Sequence, residues 1–429
     1  MRTGIPRYSR KRNHAAAHTD EYVFHLLIPY IGNKRKLLPL IFGAIEDARR
    51  AGSAGAGGVR IGRGLFVDFF AGSGVVSRMA KQLGFRVVAN DWEPYALEIN
   101  RCYVACNRMP AFEEPGGPEA VFERLNALEP VEGWVARHLC PRDDDDPDPD
   151  RERMFFTRAN GMRIDAIRER IAGWEADGRI DARERSCLLA PLLWAACYVS
   201  NTSGVFKGFH RGWGGRTGTA LYRILSELEL RRPVLYDNGR ANAACRMDAL
   251  ELADALRDEG EAIDVAYLDP PYNQHPYGSN YHVLNSIALW DRPELDRTID
   301  GRGGKAAIRR DWRTERRSPF NYGRTAADAL RRLVDAIDAR HIAISYSTDG
   351  NIPLERLVSI AARRGHVTVR LDEYKRYRVS RQRYSRKPLN IELVLCIDTR
   401  RPADGDAVGR ISTVVERAER AALAAHPET

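Results

Sequence analysis

Ala262-Ile263-Asp264-Val265-Ala266-Tyr267-Leu268-Asp269-Pro270-Pro271-Tyr272 is the stretch that decides the fold. Its apolar and β-branched first part is typical of a buried strand, which the two prolines end because proline supplies no N–H to a ladder. Asp269 therefore stands at the carboxyl end of a strand, beside fixed backbone carbonyls and an aromatic ring. A carboxylate, a carbonyl oxygen and a stacking face suit an exocyclic amine on a planar base. We predict a catalytic group formed by Asp269, Pro270, Pro271 and Tyr272.

A second apolar strand lies nearer the start of the chain and leads into a glycine turn. The run from Leu65 to Phe70 is apolar around Asp68, and the small residues up to Gly74 separate it from a helix that begins at Val75. This order predicts the strand, turn and helix of a nucleotide-binding βαβ unit, in which missing side chains let a ligand approach the backbone. The turn departs from the GxGxxG pattern, and a purely structural turn explains it equally well.

Two further acids follow predicted strands. Asp91 ends the strand that starts at Phe85, roughly twenty residues beyond the glycine turn, where a carboxylate can take both ribose hydroxyls of a nucleotide. Trp92 next to it either covers an adenine ring or packs in the core. Asp248 ends a short strand before a helix. Because ligands of open α/β sheets sit outside the carboxyl ends of the strands, we expect Asp91, Asp248 and Asp269 to share one site.

The composition is that of a globular protein with a basic balance. The chain has 429 residues, a net charge of +9 and 44% hydrophobic residues. This charge favours a polyanionic partner, although an Arg-rich composition without such a partner also explains it. The seven cysteines form no CxxC pair, so we predict neither a disulfide framework nor a metal site, and a reducing cytoplasm fits. The start of the chain does not resemble a signal peptide and the longest apolar run is too short to span a bilayer, so we expect a cytoplasmic, nucleoid-associated protein without a membrane partner.

The pattern divides the chain into several regions. Strand and helix alternation predicts one discontinuous α/β domain, and the irregular helical periodicity between its halves predicts an insertion. We expect a basic disordered arm at 1–20, the α/β domain at 21–109 and 237–400, the inserted domain at 110–236, and a helical tail at 401–429. The acidic stretch 143–150 in the insertion is typical of a solvated loop, and its prolines spread the carboxylates too far apart to favour a metal.

Basic and aromatic residues cluster in segments suited to nucleic acid. In the glycine-rich stretch 201–217 they alternate, as in loops that enter a groove and contact phosphates and bases, although a hinge loop has a similar composition. A basic, tyrosine-containing hairpin tip spans 375–387, for which an exposed charged turn is the alternative. The candidate DNA-binding residues are Asn201, Phe206, Lys207, His210, Arg211, Arg216, Tyr277, Arg381 and Arg383.

Four motifs together resemble a known family. Tyr30-Ile31-Gly32-Asn33-Lys34, Asp68-Phe69-Phe70-Ala71-Gly72-Ser73-Gly74, Asn90-Asp91 and Asp269-Pro270-Pro271-Tyr272 occur in the order found in Dam-type, alpha-group adenine-specific DNA methyltransferases. The resemblance covers residues from about 22 to 398. It implies a Rossmann-like seven-stranded methyltransferase sheet, S-adenosylmethionine as methyl donor, and a mainly helical target-recognition domain at 110–236.

The resemblance also implies roles for individual residues. Tyr30 and Lys34 would contact the cofactor, Lys34 near its carboxylate end, and the turn at Phe70 would pass beside its methionine moiety. Asp91 would hold the ribose, and Asp248 would lie by the cofactor adenine. The full set of expected cofactor-binding residues is Tyr30, Gly32, Asn33, Lys34, Asp68, Phe70, Gly72, Ser73, Gly74, Asp91, Trp92, Asp248, Ala249 and Asp269.

The expected activity is methylation of the exocyclic amino group of a flipped adenine in a specific duplex DNA sequence, in restriction-modification or epigenetic marking. Double-stranded DNA is the expected partner, together with a cognate restriction endonuclease acting on the same site. An RNA adenine methyltransferase would use the same pocket. A non-catalytic DNA-binding module is a further alternative, although such a module would be expected to have lost the acid or a proline of the intact Asp269 to Tyr272 motif.

Overall fold

A computed structural model describes residues 21–51, 64–274, 276–299, 304–308, 312, 316–375 and 389–425. The predicted basic arm at 1–20 and the predicted DNA contacts Arg381 and Arg383 lie outside these described residues.

The elements alternate between strand and helix at both ends of the chain and are helical in between. The strands are β1 (Leu65–Asp68), β2 (Arg86–Asn90), β3 (Ala243–Cys245), β4 (Ile263–Leu268), β5 (Ala339–Ser347), β6 (His366–Lys375) and β7 (Leu389–Asp398). The helices of the first part are α1 (Leu38–Ala51), α2 (Val75–Gln82), α3 (Pro94–Asn100), α4 (Pro118–Asn126), α5 (Trp134–Leu139), α6 (Arg158–Ala176), α7 (Ala182–Val199) and α8 (Leu221–Ile224). Those of the second part are α9 (Ala249–Asp258), α10 (Tyr277–Asn280), α11 (His282–Leu289), α12 (Ala326–Ala336), α13 (Leu354–Ala362) and α14 (Ala407–Ala425).

Within the described ranges, seven strands form one sheet in the order β3-β2-β1-β4-β5-β7-β6. The first five strands in this order run parallel, whereas β7 pairs antiparallel with both β5 and β6. The strand order reverses between β1 and β4, so the loops after these two strands diverge and leave a crevice at their carboxyl ends. The predicted α/β class with a seven-stranded sheet is confirmed.

The sheet is covered by helices on both faces, which explains its nearly continuous apolar strands. One face packs Phe66, Val87 and Val265 against the helices α1 and α2. The other packs Val67 and Leu268 against α9, α12 and α13, and α14 joins this layer near the carboxyl end of the chain. The predicted strand ends lie at one edge of this three-layer core.

The region 110–236 is mainly helical, with its own apolar core. Phe155, Ile164 and Leu188 are buried there together with Tyr95 of α3 and Leu284 of α11. The region therefore packs on elements that flank the sheet as well as on itself, and its boundaries as a recognition domain stay a prediction. No helix within the described ranges has the length and apolar character needed to cross a membrane.

Candidate active site

The carboxyl ends of β1, β2, β3 and β4 open into one cleft. Because parallel strands end at the same edge of a sheet, the acids that follow β2, β3 and β4 meet there, as the sequence predicts. The cleft is lined by Tyr30, Phe69, Phe70, Asn90, Asp91, Trp92, Glu93, Met247, Asp248, Ala249, Asp269, Pro271, Pro276, Tyr277, Gly278, Arg316, Ser318, Pro319, Phe320 and Asn321.

Asp91 is fixed at the centre of this cleft by backbone groups. Its Oδ2 accepts a hydrogen bond from the Gly72 N–H at 2.8 Å, and its Oδ1 accepts one from the Glu93 N–H at 2.9 Å. Burial raises the pKa of Asp91 to about 7, against the opposing effect of these hydrogen bonds. Each carboxylate oxygen can accept more than one hydrogen bond, so Asp91 retains acceptor capacity for a hydroxyl-bearing ligand.

The glycine turn after β1 lies directly against a tyrosine ring. Gly72 has a φ of +51°, and a Cβ at this position would lie 2.9 Å from ring atoms of Tyr30. Gly74 has a φ of +77°, and its Cβ would lie 2.4 Å from the Asn100 side chain. Glycine is therefore required at both positions, for the backbone conformation and for the close approach. Ser73 between them is buried.

Asp68 and Asp248 have mainly structural contacts. Asp68 is buried at the end of β1, where its Oδ2 accepts a hydrogen bond from the Ser77 hydroxyl at 2.7 Å. Burial raises the pKa of Asp68 to about 7. Asp248 caps α9 by accepting the Leu250 N–H at 2.8 Å, and it also lines the cleft with Ala249. Asp248 thus lines the space that a ligand in the cleft would occupy, whereas Asp68 lies behind the glycine turn and does not line the cleft.

The Asp269 to Tyr272 segment is held rigidly by loops from the opposite side of the cleft. The Tyr272 carbonyl accepts a hydrogen bond from the Asn351 N–H at 2.9 Å, and the Asn321 side chain donates to the Asn273 carbonyl at 2.7 Å. The Tyr272 ring packs edge-on against Tyr346, with centroids 5.7 Å apart. These contacts fix the backbone carbonyls of Tyr272 and Asn273 at the end of the Asp269 motif.

Lys34 contacts the predicted catalytic acid. Asn33 caps the turn that carries Lys34 by accepting the Arg35 N–H at 2.8 Å, and Lys34 itself is buried. Its Nζ lies 3.0 Å from Asp269 Oδ1 and 5.0 Å from the centroid of the Tyr272 ring. Burial disfavours the ammonium, but Asp269 and the other acidic groups around it together outweigh burial and place the pKa of Lys34 above its ordinary value. Burial raises the pKa of Asp269, and Lys34 opposes this shift.

Besides the expected place of Lys34 near the carboxylate end of the cofactor, Lys34 forms an ion pair with Asp269. The two residues are far apart in sequence, and the sheet order brings them together. That expectation stays a prediction, and the ion pair is the contact that the structure adds.

Three stacked tyrosines hold the turn that carries Gly32, Asn33 and Lys34. The Tyr30 ring lies 5.2 Å from the Tyr277 ring and 5.0 Å from the Tyr281 ring, nearly parallel to both. The Tyr277 hydroxyl donates to the Ile31 carbonyl at 3.1 Å, and the Tyr281 hydroxyl accepts the Ile31 N–H at 2.8 Å. Gly32 has a φ of +73°, and its Cβ would lie 3.3 Å from the Tyr277 hydroxyl. Tyr277, a predicted DNA contact, thus lies on the wall of the cleft and supports the turn.

Several residues of the cleft escaped the sequence prediction. Glu93 is buried beside Asp91, where it accepts hydrogen bonds from the Trp92 indole at 3.0 Å and the Asn285 side chain at 2.5 Å. Arg316 approaches the same carboxylate at 3.7 Å, and Phe320 packs edge-on against Phe70. Arg316 and Phe320 lie far beyond the Asp269 motif along the chain, and no local pattern indicated that they return to the cleft. The position of Glu93 directly after Asp91 and Trp92 was the one available signal.

Two predicted DNA contacts are buried in the loop after α7. Asn201 donates to the carbonyls of Met154 and His210, both at 3.1 Å, and accepts the Gly214 N–H at 3.0 Å. Phe206 packs between Phe155 and Phe156 with only 1% of its surface exposed. Because their polar atoms or rings are occupied by the protein, we propose that Asn201 and Phe206 shape this loop and that neighbouring residues contact DNA.

The remaining predicted contacts of this loop lie at its surface. Lys207, Arg211 and Arg216 are exposed and His210 is partly exposed. Arg211 donates to both carboxylate oxygens of Asp150 at 2.6 Å, so the acidic loop lies beside the basic one. The Trp213 indole donates to the Asp144 carbonyl at 2.9 Å and strengthens this contact. The loop begins next to the cleft, because the Phe206 N–H donates to the Asn280 carbonyl at 2.7 Å.

The seven-stranded sheet with an antiparallel β7, the glycine turn and the acid at the end of β2 define the class as a methyltransferase of the α/β type. Residues 30–301 match the model of the D12 class N6 adenine-specific DNA methyltransferases, and the chain belongs to this family.

Characterised relatives support the same assignment. The chain is 30% identical to the type II methyltransferase M.NlaIII of Neisseria lactamica, over 82% of this chain and 93% of that protein. It is 29% identical to the type II methyltransferase M.FokI of Planomicrobium okeanokoites, over 83% of this chain and 50% of that protein. It is 28% identical to the modification methylase StsI of Streptococcus sanguinis, over 81% of this chain and 48% of that protein. The chain thus spans about half the length of M.FokI and StsI and nearly all of M.NlaIII.

Proposed function

We propose that this chain transfers a methyl group from S-adenosylmethionine to the exocyclic amino group of an adenine extruded from duplex DNA. The observation that carries the proposal is Asp269, which ends β4 at the cleft, is ion-paired with Lys34, and stands next to Tyr272 and the Pro270 carbonyl. This arrangement supports the proposal that an acceptor for an amine lies beside a site for a nucleoside-like cofactor.

The cleft fits the proposed cofactor. Asp91 is a partly buried carboxylate with acceptor capacity for ribose hydroxyls, and Phe70 and Phe320 form apolar walls for a ring. The Tyr30 ring, which lies against Gly72 of the glycine turn, forms a further wall of this space. When bound, S-adenosylmethionine supplies an electrophilic methyl group on a positively charged sulfur.

The protein must make the adenine amine nucleophilic, since its lone pair is delocalised into the ring. Asp269 and the Pro270 carbonyl accept the two N–H bonds and draw the nitrogen toward a tetrahedral geometry. The rigid segment around Tyr272 holds these acceptors in place, so positioning and electrostatics carry the catalysis. The Asp269 carboxylate would take the proton that the amino nitrogen gives up when this nitrogen bonds to the methyl carbon, the bond from that carbon to sulfur breaks, and the sulfur leaves as a neutral thioether.

A duplex base reaches this cleft only when it leaves the helix, at a cost of a few kcal/mol. Stacking on the Tyr272 ring offsets part of this cost. Phosphate contacts from Lys207, Arg211 and Arg216 contribute the rest, because these exposed cations lie on the loop that begins beside the cleft.

The relatives named as modification methylases suggest a place in restriction-modification. A cognate endonuclease that cuts the same sequence is the partner that this role implies. The cytoplasmic, nucleoid-associated location stays a prediction.

Duplex DNA and structured RNA of matched sequence distinguish the proposed substrate from the RNA alternative. We expect radiolabelled methyl groups to enter duplex DNA and to be recovered as N6-methyladenine, with incorporation into RNA at least about a hundredfold lower. This ratio corresponds to roughly 3 kcal/mol of discrimination. Preferential labelling of RNA would show that the substrate is wrong, and labelling of cytosine would show that the base is wrong.

A further inference from the structure

Glu93 is a buried carboxylate of the cleft to which the proposed function assigns no role. It follows Asp91 and Trp92 directly in the sequence, and its side chain is 3% exposed although it lines the cleft. A carboxylate that burial separates from water has to be hydrogen-bonded or paired within the protein. The partners of its two oxygens therefore indicate what this side chain does.

One oxygen of Glu93 holds the indole of Trp92. The Trp92 Nε1–H donates to Glu93 Oε1 at 3.0 Å. This N–H is the only hydrogen-bonding group of the indole, so the bond fixes the edge of the ring and leaves its faces for apolar contact. Trp92 lines the cleft next to Asp91, which has acceptor capacity for a hydroxyl-bearing ligand. A flat ring and a hydroxyl acceptor therefore adjoin the same space.

The other oxygen of Glu93 is held by residues from distant segments. Asn285 of α11 donates from Nδ2 to Glu93 Oε2 at 2.5 Å, and Asn285 Oδ1 accepts the Tyr95 N–H at 3.2 Å. Because this backbone donor occupies the amide oxygen, the amide of Asn285 presents its donor side to Glu93. Arg316 Nη1 lies 3.7 Å from the same carboxylate oxygen and supplies opposite charge. Glu93 is thus fixed from two sides.

Asp91 and Glu93 differ in what they offer to a ligand. Asp91 is partly exposed, and its side chain accepts backbone N–H groups, one of them from Glu93 at 2.9 Å. Glu93 is more deeply buried, and each of its oxygens accepts a hydrogen bond from a side chain of the protein. Asp91 therefore has acceptor capacity for a ligand, whereas the oxygens of Glu93 are engaged in fixing their neighbours.

We propose that Glu93 is a positioning residue for the cofactor, which holds the Trp92 ring as a flat wall of the cleft for the adenine base of S-adenosylmethionine. This inference rests on the proposed function. A ring that is oriented before binding loses less conformational freedom when a base packs against it. The contact with the base is the same before and during methyl transfer, so Glu93 contributes to cofactor affinity and not to the rate of the chemical step.

The test is a double-mutant cycle between positions 92 and 93 of the full chain, with the affinity for S-adenosylmethionine measured by calorimetry. Glu93→Gln keeps the size of the side chain, but in either orientation of the amide one of its two contacts joins two donors. Trp92→Phe keeps an aromatic ring and removes the indole N–H. The control is Glu259→Gln, at an exposed position directly after α9. Thermal melting establishes that each variant is folded.

We expect Glu93→Gln to weaken cofactor binding about tenfold, while kcat at saturating cofactor and the affinity for duplex DNA stay within about twofold of the wild type. Trp92→Phe weakens cofactor binding by a similar factor. Adding Glu93→Gln to Trp92→Phe weakens it by less than about threefold more, because Glu93 acts through the indole. Glu259→Gln binds the cofactor as the wild type does.

An exchange of the two hydrogen-bonding groups provides a rescue. In Glu93→Gln combined with Asn285→Asp, the amide at position 93 accepts the indole N–H and donates to the carboxylate at position 285. The second oxygen of that carboxylate still accepts the Tyr95 N–H. We expect this combination to bind the cofactor within about threefold of the wild type, whereas general damage to the fold is not reversed by a second substitution.

Three results overturn the inference: wild-type cofactor affinity in Glu93→Gln, losses at positions 92 and 93 that multiply in the combined variant, or no recovery in the exchanged pair. If Glu93→Gln does not fold, Glu93→Asp takes its place in the cycle, since a side chain one methylene shorter withdraws the carboxylate from the indole. A wild-type protein that does not bind S-adenosylmethionine contradicts the proposed function instead, before any variant is compared.

Discussion

Asp68 and Asp91 follow neighbouring strands and share a raised pKa of about 7, yet they serve the protein differently. Asp68 is 1% exposed behind the glycine turn, with the Ser77 hydroxyl as its partner. Asp91 opens onto the cleft with acceptor capacity left. A carboxyl group with a pKa raised by burial destabilises the folded protein once it ionises. We therefore expect Asp68 to make stability depend on pH, and Asp91 to make ligand binding depend on pH.

We predict that Asp68→Asn stabilises the protein without cofactor at about pH 8, by on the order of 1–3 kcal/mol. The stability that Asp68 contributes is complete below its unfolded pKa of 3.8 and is lost as the pH rises through about 7, where the folded carboxyl ionises. Asparagine does not ionise and can exchange hydrogen bonds with Ser77. The gain in melting temperature should therefore shrink as the pH falls toward about 4. The control is Asp258→Asn, which removes an exposed carboxylate. An Asp68→Asn variant that is less stable than the wild type at about pH 8 contradicts this account.

Asp91 should make cofactor binding depend on pH. The ionised carboxylate accepts hydroxyl hydrogen bonds better than the neutral acid, and burial raises the pKa of Asp91 to about 7. We expect the affinity for S-adenosylmethionine, measured by calorimetry, to fall up to about tenfold from pH 8 to pH 6, with release of protons on binding. The dependence should be weaker in Asp91→Asn. If the affinity of Asp91→Asn for the cofactor depends on pH as strongly as that of the wild type, a group other than Asp91 releases the proton on binding.

Among the elements, the loop after α7 and the acidic loop before α6 form a pair of opposite charge. In the Arg211–Asp150 contact one guanidinium nitrogen, Nη2, lies 2.6 Å from both carboxylate oxygens, but the two side chains are 59% and 70% exposed. An exposed ion pair contributes at most about 1 kcal/mol, so it restrains Arg211 only weakly. Phosphate oxygens can therefore compete with Asp150 for Arg211.

Removal of Asp150 should thus strengthen DNA binding slightly. We predict that Asp150→Asn raises the affinity for a labelled duplex up to about threefold at low salt, and that the gain disappears as salt screens the phosphates. Fluorescence anisotropy measures the change. In an Arg211→Ala background the gain should be absent, and a gain that persists there rules out competition for Arg211.

The sequence predicted these elements unequally well. The strands β1, β2 and β4 were recognisable because parallel strands covered on both faces are continuous apolar runs, and the prolines after Asp269 marked an end. The hairpin tip predicted at 375–387 implies antiparallel strands before and after it, and β6 and β7 pair in this way. The position of β7 between β5 and β6 was not predicted, because a local sequence pattern carries no information about the order of strands in a sheet.

Over the whole molecule, the order of the strands explains why part of the site could not be predicted. Asp91, Asp248 and Asp269 were found because each ends a strand, and a shared edge follows from parallel pairing. The Lys34–Asp269 pair depends on a contact between distant segments. Arg316 and Phe320 reach the cleft because the long connection between β4 and β5 returns to it. Local residue propensities do not specify the path of such a connection.

The central claim is that Asp269, held by Lys34 and the rigid segment up to Tyr272, activates an adenine amine in duplex DNA. The most direct measurement is single-turnover methyl transfer to a duplex by the wild type and Asp269→Ala, with DNA and cofactor affinities determined on the same preparations. We predict that the variant transfers methyl groups at least about a thousandfold more slowly, while its affinity for the duplex changes by less than about fivefold, because Asp269 acts on the transition state. A variant that keeps near-normal transfer to N6 of adenine contradicts the account.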